Sequence, residues 1–198
     1  FSYLVPYRRF PFKITIYTKA GLKVETVIEV PLIEDLPQGF MAVRKGKRNF
    51  QWRNDQASTL VYTKALDGGD PANEVAFRDG LYEMEFPFKG NDKALLKTIN
   101  RLYGVEWGNN SVAIAYDYWR TNRNTKTYIF NPSDASIEAK ILNDRNYQNN
   151  YTDPGNFVSK RNAMGSSVLA LSGDNAYLLG DGYTKDGQFP FLDQVNLK

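Results

Sequence analysis

The sequence contains no cysteine and no histidine. Without cysteine the chain has no disulfide, no thiol nucleophile and no Cys-ligated zinc or iron–sulfur site. Without histidine it lacks the usual general base near neutral pH and the commonest metal ligand. A complete Ser-His-Asp set therefore cannot be assembled from this chain. We predict that the chain by itself has no catalytic residue, no metal site and no cofactor.

Charge of one sign and long apolar runs are also missing. The 25 basic and 22 acidic residues leave a net charge of +3, too small and too mixed for a nucleic-acid or membrane-surface footprint. No apolar run approaches the roughly 18 residues of a transmembrane helix, so the chain is predicted to be soluble, without a transmembrane segment or a nucleic-acid partner.

The ends of the chain suggest an excised piece of a longer protein. The first residue is Phe1 rather than Met, no signal-peptide pattern follows it, and the last residues resemble a strand cut short. The absence of cysteine does not identify the compartment. An exported or periplasmic location in a bacterial parent stays open.

Alternation of apolar and polar residues, which is typical of half-buried strands, recurs along the chain. Residues 12–17 and 22–30 alternate in this way with Gly21 between them, which predicts a hairpin. The stretch 31–39 contains prolines and a glycine and is predicted to be a connection. Further strands are predicted at residues 49–53, 58–66, 74–86, 111–119, 127–130, 167–171, 175–179 and 189–195.

Helical periodicity is almost absent. Residues 93–102 show partial helical spacing, but a short strand followed by a loop is favoured there. Residues 67–71 predict a tight turn, residues 180–187 a long turn, and the Asn-, Asp- and Tyr-rich stretch 143–156 a long loop.

A weak repeat surrounds two tryptophans. Trp52 and Trp107 each lie in an apolar-x-Trp-x-Asn pattern, followed by apolar pairs and a tyrosine at 60–62 and 114–116. A repeat of roughly 40 to 50 residues with four strands each is typical of propeller blades. The predicted fold is therefore all-β, with consecutive four-stranded antiparallel blades that form part of a β-propeller. A β-sandwich is the alternative.

Several short motifs, in collinear order, resemble one protein family. The run EDLPQGFMAVRKGKR at residues 34–48, followed by Trp52-Arg53, resembles the propeller region of prolyl-oligopeptidase-family (S9) serine peptidases, in the glutamyl-peptidase-like subgroup. Later matches bring the resemblance to residues 30–193 and lie at 67–70, Trp107, 123–127, 144–145, 153–155, 161–165 and 190–193.

The resemblance implies an N-terminal propeller followed by an α/β-hydrolase domain that carries a G-x-S-x-G nucleophile elbow. This chain has no such motif, and the nearest stretch, residues 165–169, departs from it. Residues 1–198 are thus expected to be a partial propeller of about three to four blades, with the catalytic domain absent. The implied partners are the hydrolase domain of the same parent chain and peptide substrates.

Two functions are compatible with this picture. The first is a non-catalytic propeller segment of a serine peptidase that gates or selects peptides. The alternative is a free-standing all-β module that binds a peptide or a glycan through the aromatic loop at 147–157.

Four cations in five residues, at 44–48, form the candidate substrate-binding feature. Arg44 and Arg48 are the favoured carboxylate ligands, because arginine can hold a carboxylate with two parallel hydrogen bonds. The opposing interpretation is a solvated hairpin turn whose Gly46 adopts a positive φ.

The remaining candidates are structural. Trp52 and Trp107 are expected to pack between blades rather than to stack on a ligand. Carboxylates such as Asp67 and Asp70 are expected to cap their own turns, and Asp181 and Asp186 do not have the spacing of a calcium loop. The turn residues singled out are Gly39, Gly46, Gly68, Gly69, Pro154 and Gly155.

Overall fold

Strands and turns dominate the computed structural model, which describes residues 6–90 and 92–198. The first five residues of the predicted 1–198 unit, and Asn91, lie outside the described residues. The helical elements of the described part are two single 3-10 turns, Tyr7–Arg9 and Asn150–Thr152.

The predicted N-terminal hairpin is present. Strand β1 (Phe12–Tyr17) pairs antiparallel with β2 (Lys23–Val30). Gly21 lies in the connecting turn with a φ of 79°. The connection at 31–39 follows without a strand, as predicted, and its Ile33 N–H donates to the carbonyl of Arg9 at 2.9 Å.

Two four-stranded meanders come next, and together they confirm the predicted fold class. Sheet A has the order β3-β4-β5-β6 and sheet B the order β7-β8-β9-β10, all antiparallel. The strands of sheet A are Lys47–Trp52, Thr59–Ala65, Asp79–Glu85 and Lys93–Thr98. Those of sheet B are Arg101–Asn109, Val112–Trp119, Asn124–Phe130 and Lys140–Asn146.

The C-terminal part is less regular. Sheet C has the order β11-β14-β17, and the pairs β12-β13 and β15-β16 form two-stranded sheets. The strands from β11 to β17 are Asn156–Phe157, Ser159–Arg161, Ser167–Leu169, Asn175–Gly180, Tyr183–Thr184, Gly187–Gln188 and Phe191–Asn196.

Three apolar layers lie between the hairpin, sheet A, sheet B and the C-terminal strands. The first joins the hairpin to sheet A, the second joins sheets A and B, and the third joins sheet B to the C-terminal strands. Neighbouring residues of a strand point to opposite faces. Leu60 therefore lies in the first layer and Val61 in the second, while Ala113 lies in the second and Ile114 in the third. Burial on both faces explains why β8 is almost continuously apolar and why β4 contains the apolar run at residues 60–62.

Three sequence predictions need correction or refinement. The long loop predicted at 143–156 is wrong in its first part, because β10 runs through Asn146 and pairs with β9. The long turn at 180–187 contains the small hairpin β15-β16. The short strand favoured over a helix at 93–102 is confirmed by β6, but the loop predicted after it is confined to residues 99–100, because β7 begins at Arg101.

The repeat around the two tryptophans is present in the structure, but aligning residues 60–62 with 114–116 is wrong by one residue. Trp52 lies opposite Leu60, whereas Trp107 lies opposite Ala113 and not Ile114. The connection between the first two strands is shorter in sheet B than in sheet A. An alignment that is wrong by one residue assigns each side chain of β8 to the opposite face of the sheet. With the register corrected, both tryptophans face the unit that precedes their own sheet.

Candidate functional site

The basic turn at 44–48 follows the connection and includes the first two residues of β3. The Arg44 guanidinium folds back over the turn, with Nη1 donating to the carbonyl of Lys45 at 3.1 Å and Nη2 donating to the carbonyl of Lys47. Gly46 has a φ of 81° and, like Lys45, is exposed. Carbon Cζ of Arg44 also lies 5.5 Å from the ring centre of Phe12 in β1.

Arg48 differs from the rest of the turn because it is only 8% exposed. Its Nη2 forms a close ion pair with Oδ1 of Asp79, a residue that is completely buried at the start of β5. Its Nε has no hydrogen-bond partner among the residues that the structure describes. The solvated-turn interpretation thus fits Lys45 and Gly46 but not Arg48.

A buried ion network continues from Asp79 into sheet B. Arg101, at the start of β7, donates from Nη1 to Asp79 at 3.1 Å and from Nη2 to Asp67 at 2.7 Å. Arg78 also reaches Asp67, with a separation of 3.0 Å. Burial by itself would raise the pKa of Asp67. The hydrogen bonds and charge of Arg101, together with donors from Gly69 and Arg78, outweigh burial and hold the pKa below its ordinary value.

The turn after β4 connects this network to the basic turn. Asp67 caps it by accepting from the Gly69 N–H at 2.9 Å, and Val43 N–H donates to the Gly69 carbonyl at 3.0 Å. A Cβ on Gly69 would lie 2.0 Å from the Val43 carbonyl oxygen, so no other residue fits there. Gly68 and Gly39 also have positive φ angles, of 70° and 111°.

The two tryptophans have different surroundings. Trp107 is 3% exposed in the layer between sheets A and B, with Cζ of Arg53 4.3 Å above its ring. That arginine is held by Glu83 and Asp55, each through a bond of 2.6 Å. Trp52 is 51% exposed and contacts Phe88 at a ring separation of 5.8 Å. The hairpin on its side has only two strands and leaves it partly uncovered.

Pro154 and Gly155 lie in a tight turn that leads into β11. Asp153 accepts a hydrogen bond from Gly155 N–H at 3.0 Å and forms an ion pair with Arg145 at 2.7 Å. Gly155 has a φ of 84°, and a Cβ there would lie 2.6 Å from the Leu179 carbonyl oxygen. This turn positions sheet C.

An open pocket of about 430 Å³, here called the N-terminal pocket, lies between the first 3-10 turn, the connection and the basic turn. Arg44 and Arg48 both line it. The structure therefore brings the two predicted substrate-binding residues to one cavity. Arg8 and Arg9, which sequence reasoning did not single out, line the same cavity.

Sequence reasoning also missed the buried acids. Asp79 and Asp117 are both fully buried, Asp79 at the start of β5 and Asp117 within the largely apolar strand β8. Asp117 accepts from the Asn100 and Lys126 N–H groups and from the Tyr128 hydroxyl, at 2.8, 3.0 and 2.7 Å. Burial raises the pKa of Asp117 although these donors oppose the shift. An acid inside a run such as AIAYDYW at 113–119 was the available signal.

Within residues 6–90 and 92–198, no cluster of three or more acidic side chains is arranged to hold a metal ion. None of the described helices is long and apolar enough to cross a membrane.

Comparison with known proteins gives two curated relatives. The chain is 37% identical over 204 residues to the "Probable glutamyl endopeptidase, chloroplastic" of Oryza sativa subsp. japonica. It is 35% identical over 205 residues to the protein of the same description from Arabidopsis thaliana. Each alignment includes 100% of this chain but only 22% and 21% of the two plant proteins.

The family resemblance predicted from the sequence is confirmed by these matches, which extend along the whole chain. The chain spans about a fifth of the length of the relatives it matches. No protein-family model and no solved structure matches it.

Proposed function

We propose that the chain is a non-catalytic propeller segment of a serine peptidase, where it limits which peptides reach the active site of a separate hydrolase domain. The observation that carries the proposal is the similarity to glutamyl endopeptidases over 100% of a chain that contains no histidine. A chain without histidine cannot complete a Ser-His-Asp set, so its contribution to such an enzyme is structural or selective.

The stacking of the sheets supports this role. Sheets A and B are sequential four-stranded meanders packed face to face, as propeller blades are. Beyond them, Leu179 and Leu192 lie opposite each other in sheet C, and both are exposed. An exposed apolar pair on a sheet face suits contact with a further blade. The proposal thus includes about three to four blades within residues 1–198 and others outside them.

The arginines of the basic turn add a selective element to the proposal. Arg44 and Arg48 line one pocket, and the Nε of Arg48 is buried without a hydrogen-bond partner among the described residues. A carboxylate is the ligand that best satisfies paired guanidinium groups. In this proposal the two arginines favour peptides with acidic side chains.

The gating part is tested on the full-length protein that contains this segment. We compare hydrolysis of a short Glu-containing peptide with hydrolysis of a folded protein domain that carries the same sequence in a loop. A closed propeller admits the peptide and excludes the domain. Trp107→Ala loosens the contact between sheets A and B, so we expect the ratio of domain to peptide cleavage to rise about tenfold.

Trp52→Ala is the matched control, because Trp52 is half exposed and lies outside that contact. We expect it to leave the cleavage ratio near that of the wild type. Circular dichroism and gel filtration establish that both variants are folded. Equal access of peptide and domain in the wild-type protein would contradict gating, and so would equal ratios in the two variants.

A further inference from the structure

The N-terminal pocket collects four arginines from separate parts of the chain. Arg8 and Arg9 come from the first 3-10 turn, Arg44 from the basic turn and Arg48 from the start of β3. No aspartate or glutamate is among the described residues that line it. The positive charges of these four arginines oppose one another around one open cavity of about 430 Å³, and an anion in the cavity would reduce that repulsion.

Two of these arginines have buried nitrogens without partners. The Nε atoms of Arg9 and Arg48 are inaccessible to solvent and make no hydrogen bond to any described residue. A buried donor that stays unpaired costs about 1–3 kcal/mol, and more when it is charged. An anion in the pocket close to these guanidinium groups offsets their positive charge.

The backbone explains why Arg48 is held there. The ladder between β3 and β4 is irregular between Arg48 and Gln51, and Asn49 within this bulge has a φ of 54°. Bulges re-aim side chains, and they are common next to binding sites. Asn49 itself lines the N-terminal pocket.

The neighbouring ion network does not neutralise the pocket. That network joins three arginines, Arg48, Arg78 and Arg101, to two aspartates, Asp67 and Asp79. One positive charge is therefore in excess before Arg8, Arg9 and Arg44 are counted. Burial and the positive charge of Arg48 lower the pKa of the Arg44 guanidinium, which agrees with a cationic pocket short of counter-charge.

The other wall of the pocket is apolar. Phe10, Phe12, Ile33 and Leu36 line it, and Phe12 lies under the Arg44 guanidinium. An inorganic anion would leave this wall without a contact. A ligand with a short hydrocarbon or aromatic body would bury it at about 25 cal/mol per Å².

We propose that the N-terminal pocket binds an organic carboxylate, with its anionic group between Arg9 and Arg48 and its apolar body against Phe10 and Phe12. The carboxylate has two possible sources, a free small acid or the Glu side chain of a peptide. The peptide source rests on the proposed function, whereas the free acid does not.

Isothermal titration calorimetry on the full chain tests the proposal without any peptidase assay. The probes are benzoate with its neutral partner benzamide, and N-acetyl-glutamyl amide with its neutral partner N-acetyl-glutaminyl amide. We expect at least one acid to bind about tenfold or more tightly than its neutral partner, because a charged hydrogen bond is lost in the neutral one. Preference for benzoate indicates a free acid, and preference for the glutamyl amide indicates a peptide.

Arg9→Gln should weaken binding of the preferred acid by about tenfold. Arg161→Gln is the matched control, because Arg161 is exposed on β12 and is not among the pocket residues. It should leave the affinity unchanged. Arg48 is not used, because its loss would also break the ion pair with Asp79.

Three results would overturn the proposal. One is equal affinity for each acid and its neutral partner. Another is inorganic phosphate binding as tightly as either acid, which would exclude a contribution from the apolar wall. The third is an equal loss of affinity in Arg9→Gln and Arg161→Gln, which would show that only the overall charge matters. Because the assay measures binding alone, a peptidase role could fail while this site is upheld.

Discussion

At the scale of single residues, buried charge determines how the sheets meet. Asp67 from sheet A accepts two bonds from Arg101 of sheet B, at 2.9 and 2.7 Å, and both side chains are buried. Losing one partner of such a pair leaves an uncompensated charge away from water. The ion pair therefore fixes the position of sheet B relative to the turn after β4.

We expect Asp67→Asn to lower the free energy of unfolding by about 3 kcal/mol at neutral pH. Asp70→Asn in the same turn should change it by less than about 1 kcal/mol, because Asp70 only caps Ala72 N–H and asparagine caps equally well. Urea denaturation followed by tryptophan fluorescence measures both. An Asp67→Asn effect as small as that of Asp70→Asn would show that the ion pair stabilises little.

The effect of Asp67→Asn should also depend on pH. The pKa of Asp67 is lower in the folded chain than the ordinary value of 3.8. Its contribution to stability is then fully present above that value and is lost as the pH falls through the folded pKa. The difference between wild type and variant should shrink below about pH 4. A difference that stays constant from pH 6 to pH 3 would contradict the assigned pKa direction.

At the scale of elements, tight turns set the register of the strands. Gly69 and Gly21 have nearly equal φ angles of 83° and 79°. Only Gly69 is crowded, because a Cβ there would meet the Val43 carbonyl, whereas nothing lies within 4 Å of a Cβ on Gly21. Substitutions at Gly21 and Gly69 therefore distinguish two destabilising effects. One is the cost of a left-handed backbone for a residue with a Cβ, and the other is the clash of that Cβ with a neighbouring backbone.

Gly21→Ala should destabilise the chain by about 1–2 kcal/mol, the cost of a positive φ for a residue with a Cβ. Gly69→Ala should cost at least about 2 kcal/mol more, because the turn must move away from Val43 and the bonds of Asp67 move with it. Chemical denaturation of the two variants checks the difference. An equal loss of stability in the two variants would mean that the backbone around Gly69 and Val43 moves apart at no cost.

Most strands of the N-terminal hairpin and of sheets A and B could be predicted from the sequence. Alternation and glycine placed the hairpin and the strands β3, β4, β6 and β8 close to their observed bounds. Strands β5 and β9 were predicted with displaced first residues, and β7 was not predicted. Strand β10 was missed because its sequence, KILNDRN, is polar and lies at a sheet edge, where one side is solvated. The N-terminal pocket could not be predicted because Arg9 and Arg48 are brought together only by the fold.

At the scale of the whole molecule, the chain is a series of sheets stacked through three apolar layers. Sheets A and B bury residues on both faces, and exposed apolar side chains remain on sheet C, including Leu179 and Leu192. In our proposal such an arrangement forms a wall beside the active site and contributes no reacting group. Similarity to glutamyl endopeptidases over the whole chain gives that wall its proposed place beside a catalytic domain.

Labelling with a fluorophosphonate, which reacts with activated serine, tests the central claim most directly. The full-length protein that contains this segment is labelled, digested and mapped by mass spectrometry. The account predicts one labelled serine, located outside residues 1–198, and no label on any serine of this chain. A labelled serine within these residues, or a full-length protein that takes up no label, would contradict the assignment of this chain as the non-catalytic propeller of a serine peptidase.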